Sequence, residues 1–206
     1  MSLVVLISGR GSNLQAIVQA GLPVVAVISN RADAPGLEFA RKRGIATTVL
    51  PHRDFATREA FDEALARQID GHAPRAIASA GFMRILTPGF AARYSGRIVN
   101  VHPSLLPAFR GLDTHARALA AGVKLHGCTV HFVTADLDGG PIIAQAAVPV
   151  LEGDIEAALA ARVLRQEHIL YPRALAWLLA GKLVIEQGVV RVEDSHARQF
   201  LFAPDA

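Results

Sequence analysis

Short apolar, β-branched runs alternate with amphipathic segments through the first half of the chain, and that alternation leaves few folds open. Residues 3–8, 24–29, 47–50, 76–80 and 98–101 read as strands, and 13–20, 35–43, 58–69 and 88–94 as helices. Units of this kind build a parallel sheet, and right-handed crossovers put helices on both of its faces. After residue 122 the pattern changes. Residues 128–134 and 142–150 are extended runs joined by the Asp-Gly-Gly turn at 138–140, which predicts an antiparallel extension of the sheet. Apolar residues at helical spacing then mark a long helix over 155–179, followed by a small hairpin, 183–186 and 189–192, around Gln187-Gly188. The fold class is α/β, a mostly parallel, doubly wound sheet with an antiparallel extension. No Ser/Gly/Pro-rich linker or internal repeat divides the 206 residues, so 1–194 reads as one domain and 195–206 as a loosely held C-terminal tail.

Composition closes off other classes. Charged residues are 19% of the chain, hydrophobic ones 51%, and no apolar run approaches the roughly 18 residues of a membrane span. The opening run at 3–7 is too short for a signal-peptide core and leads straight into a glycine loop. A single cysteine, Cys128, forms neither an intrachain disulfide nor a multi-thiolate metal site, which fits a reducing compartment. A cytoplasmic protein with no membrane partner is expected. The net charge of +3 comes from basic residues interspersed with acidic ones; it marks no nucleic-acid surface and suits anionic small molecules.

Two strand-end loops carry candidate chemistry. Gly9-Arg10-Gly11-Ser12-Asn13 lies between the first strand and first helix, where backbone N–H groups and the helix dipole hold anions. It lacks the Lys-Ser/Thr ending of a P-loop, Leu14 occupies the third glycine position of the dinucleotide fingerprint, and the second strand ends at Ser29-Asn30 with no acidic residue for a ribose diol. The loop is a candidate phosphate site, with a tight strand-to-helix turn chosen for its geometry as the equal alternative, and a nicotinamide cofactor is disfavoured. The second loop, Asn100-Val101-His102-Pro103-Ser104-Leu105-Leu106-Pro107, follows a strand. Alternation points Asn100 and His102 the same way, where an amide and an imidazolium can donate to an oxygen gaining negative charge, as acyl transfer requires; a helix-capping Asn and a satisfied loop His stiffened by two prolines are the equal alternative. Asp138 tips that balance: in the Asp-Gly-Gly turn it can bring a carboxylate that keeps His102 protonated or relays a proton through water, the alternative being a turn chosen for its backbone geometry alone.

Other polar residues say less. No His/carboxylate set has metal-ligand spacing, so no metal is expected. His126 and His131, five apart on an extended run, read as structural residues facing opposite sides, and neither Ser12 nor Ser104 sits in a nucleophile elbow. Glu167 lies on the long helix, where a solvated face is the default and binding of a substrate amine the alternative.

The stretches VVLISGRGSNLQA at 4–16, AGFMRILTP at 80–88, NVHPSLLPAFRG at 100–111, GCTVHFVTADLDGGPII at 127–143 and QEHILYP at 166–172 resemble the phosphoribosylglycinamide formyltransferase family, nearly end to end. The resemblance implies the formyltransferase fold, a role in purine synthesis, and two small-molecule substrates: 10-formyltetrahydrofolate as co-substrate and glycinamide ribonucleotide as acceptor. It implies a catalytic trio of Asn100, His102 and Asp138. Gly11, Ser12 and Asn13 match the phosphate loop and Glu167 the residue holding the glycinamide amine. Arg58, Met83, Arg84, Ile85 and Leu86, with Asn100, Asp138 and the 135–138 stretch, match the folate site. The segment at 21–23 is short compared with several relatives. HPSLLP also resembles methionyl-tRNA formyltransferase and formyltetrahydrofolate hydrolase, but those families carry additional domains, and a non-catalytic sensing module has no use for an oxyanion site. The sequence leaves monomer and homodimer equally open.

Overall fold

The computed structural model describes residues 1–194 and 197–204. Its main sheet has the strand order β10-β7-β6-β5-β4-β1-β2-β3, and a separate two-stranded sheet is formed by β8 and β9. Here β1 is Leu3–Ile7, β2 Val24–Ser29, β3 Ala46–Val49, β4 Ala76–Ser79, β5 Ile98–His102, β6 Leu125–Phe132, β7 Ile142–Pro149, β8 Leu183–Glu186, β9 Val189–Val192 and β10 Phe200–Phe202. The described residues cluster into two compact units, Met1–Asn100 and Val101–Ala206, dividing within β5.

In the first unit, β1 pairs in parallel with both β2 and β4, and all five of its side chains are buried. A strand covered on both faces is the expected result of helical crossovers on either side of a parallel sheet. Four helices supply them: α1 (Ser12–Gln19), α2 (Pro35–Lys42), α3 (Arg58–Asp70) and α4 (Pro88–Arg93). Their starts follow local chemistry. Pro35 and Pro88 open α2 and α4, where the missing N–H costs nothing, and the hydroxyls of Thr57 and Thr87 cap α3 and α4. No side chain caps α1, which begins after Gly11 in a left-handed conformation.

In the second unit, β6 and β7 form the expected antiparallel pair, and α6 (Glu156–Leu179) packs on them after the shorter α5 (Thr114–Ala120). Leu159, Val163, Leu170, Ala174 and Leu175 form the buried stripe of α6 at helical spacing. Pro172 is accommodated inside that helix. The tail departs from expectation: Phe200–Phe202 pairs in parallel with β7, and the Gln199 side chain donates to the carbonyls of Ile143 and Val190. Three residues give too little apolar pattern to be read as a strand. Among the described residues no helix is long and apolar enough to cross a membrane.

One buried ion pair ties the start of α6 to the end of β7. Arg162 donates to both carboxylate oxygens of Asp154, at 2.6 and 3.0 Å, and to the Pro149 carbonyl, while Asp154 also accepts from the Leu151 amide. The Arg162 hydrogen bond is the main cause holding the Asp154 carboxyl below its usual range. That contribution is complete above the unfolded-state value and is lost as pH falls through the lowered one, so Asp154→Asn should cost about 2 kcal/mol near neutrality and progressively less from about pH 5 toward pH 2. Urea denaturation of both proteins across that range checks the sign.

Candidate active site

The first unit carries a cavity of about 370 Å³ bordered by the glycine loop, Asn30, Arg31, His52 and the chain after β4. Its floor is set by a close backbone approach. Gly11 has φ 74°, and a Cβ there would sit 2.9 Å from the Gly36 Cα, while a Cβ on Gly36 would meet Ile7 at 2.6 Å. The loop is therefore pressed on the start of α2, with the Gly36 amide donating to the Gly9 carbonyl at 3.1 Å. The N-cap position of α1 is Gly11, which offers no capping side chain, and its first turn holds no acidic residue, so the helix dipole favours an anion at that end. Gly11, Ser12 and Asn13 all line this cavity. Of the residues matched to a folate site, Met83 and Arg84 also line it; Met83 and Ile85 are exposed apolar side chains on the irregular chain after β4, Leu86 is half-buried there, and Arg58 is exposed in the first turn of α3. Ser8, Asn30 and His52 border the cavity without having been singled out in the sequence.

Asn100 and His102 stand two residues apart on β5. In the second unit His102 is buried, with Nδ1 3.4 Å from Asp138 Oδ2 and Nε2 3.0 Å from the carbonyl oxygen of Phe109. Both ring nitrogens thus face acceptors, which a ring protonated on both satisfies at once. The Asp138 carboxylate also accepts from the Gly111 amide at 2.9 Å. The turn that presents it is sterically forced. Asp138 has φ 50°, and a Cβ on Gly140 would lie 1.9 Å from the Phe132 carbonyl oxygen. The Asp-Gly-Gly sequence is what lets the chain close on β6 there.

His131 corrects the sequence reading. Its Nε2 lies 3.7 Å from Asp138 Oδ1, so it belongs to the surroundings of the carboxylate and is more than a filler of the strand. Burial lowers its proton affinity, which keeps it neutral beside the charged group. His126 is held neutral too: burial brings it to about 4, and its ring meets that of His115 edge to face at 5.2 Å. Glu167 is a second correction, being buried at 7% exposure where a solvated helix face was the default. Its charge helps raise the proton affinities of Cys128 and Tyr171, after burial itself.

A polar network fixes the loop that follows His102. Thr129 Oγ1 donates to the Ser104 carbonyl at 2.7 Å and accepts from the Leu106 amide at 3.0 Å, while Gln145 donates to the Leu106 carbonyl at 2.9 Å. Ser104 Oγ donates to the Ala108 carbonyl, bringing the chain round to Phe109, whose φ of 55° is left-handed. Among the described residues no group of three or more His, Cys, Asp or Glu is arranged to hold a metal ion.

The chain belongs to the formyl transferase family, whose sequence profile matches residues 1–175. It is 52% identical over 193 residues to the phosphoribosylglycinamide formyltransferase of Escherichia coli strain K12, covering 91% of each chain. Its structure matches that of the phosphoribosylglycinamide formyltransferase of Coxiella burnetii with a TM-score of 0.91 and 46% identity over 99% of both chains. A formyltetrahydrofolate deformylase from Pseudomonas syringae is also similar, with a TM-score of 0.87 and 26% identity, this chain covering 66% of that one.

The turn geometry has a measurable consequence. Gly140→Ala forces a Cβ into the Phe132 carbonyl and should destabilise the protein by about 2–3 kcal/mol. Gly89→Ala, in a helix with open space around the added methyl, should change stability by less than about 1 kcal/mol. Urea denaturation of the pair separates the steric demand from a general cost of replacing glycine.

Proposed function

We propose that this chain transfers the formyl group of 10-formyltetrahydrofolate to the primary amine of glycinamide ribonucleotide in de novo purine synthesis, with residues 1–194 as the formyltransferase domain of a cytoplasmic enzyme. The observation that carries the mechanism is the buried His102–Asp138 pair at 3.4 Å, together with Asn100 two residues before the histidine. The substrate amine attacks the formyl carbon, and the carbonyl electron pair moves onto oxygen. Asn100 and the His102 ring donate to that oxyanion, which takes the hydrogen bond now made to the Phe109 carbonyl. Asp138 stabilises the charge on His102 and accepts, through water, the proton lost by the attacking nitrogen. Collapse of the intermediate breaks the bond to N10, which takes back through water the proton held by Asp138 and leaves as tetrahydrofolate. The scheme needs neither a metal nor a covalent enzyme intermediate.

Binding roles follow the same reading. Gly11, Ser12 and Asn13 receive the phosphate at the open end of α1, and the buried Glu167 carboxylate holds the acceptor amine. Exposed Met83 and Ile85, with Arg84, Leu86 and Arg58, are the folate-contacting residues of the first unit in this reading, and Asn100, Asp138 and the 135–138 stretch are its other folate-contacting residues. Two small molecules are its partners, with no nucleic acid or membrane involved.

Hydrolysis of the formylfolate is the second reading, favoured by the similarity to a deformylase. One assay separates the two: turnover of 10-formyltetrahydrofolate by the purified protein, with and without glycinamide ribonucleotide. Turnover that requires the ribonucleotide is expected; an equal rate without it would establish the hydrolase, and tight binding without turnover a sensing module. Asp138→Asn should lower kcat by about 10²-fold or more, with a smaller change in KM, and an unchanged kcat would remove Asp138 from the mechanism.

A further inference from the structure

A chain of hydrogen bonds runs from the backbone of the folate-matched segment to His52 at the border of the glycine-loop cavity. It begins with a group that only donates: the Met83 amide donates to Ser8 Oγ at 2.8 Å. The buried Ser8 hydroxyl lies 2.6 Å from Asn30 Oδ1, a separation typical of O–H···O and short for N–H···O, so Ser8 donates its proton to the amide oxygen. With Oδ1 committed, the other end of the Asn30 amide is its NH₂ group, which lies 3.2 Å from His52 Nδ1. An NH₂ group only donates, so Nδ1 must accept, and the proton of the neutral ring resides on Nε2. The ring is held further by edge-to-face contact with Phe61, centroids 6.5 Å apart.

We infer that His52 is a substrate-positioning residue, a neutral imidazole whose Nε2–H is fixed by the Met83–Ser8–Asn30 relay as a donor to the phosphoryl group of the ribonucleotide in the glycine-loop cavity. The cavity suits that ligand, since Arg10, Arg31 and Arg84 line it beside the uncapped start of α1. A donor set in advance by three partners adds a directed hydrogen bond without loosening a flexible side chain. The relay also joins Met83 to the same cavity, so the two binding surfaces of the first unit share one hydrogen-bonded frame. This inference rests on the phosphate reading of the cavity given above.

The test has two arms. In the first, long-range ¹H–¹⁵N spectra of the ligand-free protein report the His52 tautomer, and inorganic phosphate is then titrated in. The expected result is a pyridine-like Nδ1, a pyrrole-like Nε2, and a phosphate-dependent shift of the Nε2 signals; a proton on Nδ1, or signals indifferent to phosphate, would overturn the inference. The second arm is kinetic. His52→Phe keeps a ring against Phe61 but removes the donor, and should raise KM for glycinamide ribonucleotide about tenfold with kcat within about twofold, whereas His52→Gln, which retains an N–H donor, should recover part of the loss. Equal KM values in wild type and His52→Phe would refute the role while leaving formyl transfer intact. A wild type that does not use the ribonucleotide at all would instead remove the functional reading, and the first arm would still decide the tautomer and its response to phosphate.

Discussion

The approach of Gly140 to the Phe132 carbonyl, too close for any Cβ, closes the turn between β6 and β7 and sets where the Asp138 carboxylate stands. From that position the carboxylate takes the Gly111 amide and faces two histidines, His102 at 3.4 Å and His131 at 3.7 Å. The two rings answer differently. His131 is held neutral by burial, with the Phe132 carbonyl 2.9 Å from its Nδ1, whereas His102 meets the carboxylate at Nδ1 and the Phe109 carbonyl at Nε2. His102 is the nearer of the two rings to the carboxylate, and it shares its strand with Asn100. Backbone geometry, more than the acidity of any isolated group, makes the constellation.

The glycine loop follows the same logic in the first unit. Gly11 and Gly36 press two backbones together, and α1 begins directly after Gly11 without a side-chain cap. Gly11→Val would damage this packing before it affected any ligand, so its effect on ribonucleotide binding cannot be read as a ligand contact alone. Around the same cavity, the orientation of an amide and a tautomer follow from one backbone N–H, because each partner in the relay has one way to satisfy the next.

Most of the first unit was legible in the sequence because β1 and β4 are buried on both faces: continuous apolar runs such as Leu3–Ile7 admit few other readings. Legibility fell where burial was one-sided or short. Strand β6 begins at Leu125, three residues before the apolar run, because Leu125 is exposed and His126-Gly127 interrupts the pattern. Strand β10 has three residues, with Phe200 and Phe202 exposed, and owes its existence to a partner more than fifty residues away in sequence. Among site residues, the Asn-x-His pair and the Asp-Gly-Gly turn were visible as local motifs. Glu167 was visible too, since Leu159, Val163, Leu170 and Ala174 place it on the buried stripe of α6, yet its charge argued for solvent. Ser8, Asn30, His52 and His131 carried no local signal, because their contacts depend on residues brought together only by the fold.

The coupling of His102 to Asp138 is the central claim, and a double-mutant cycle tests it most directly. Formyl transfer to glycinamide ribonucleotide would be measured for His102→Ala, Asp138→Asn and the double variant. If the carboxylate acts mainly through the ring, Asp138→Asn slows the His102→Ala variant by much less than it slows the wild type, the remainder being its part in taking the proton of the attacking nitrogen. Losses that multiply would show the two residues acting independently, and would contradict the account.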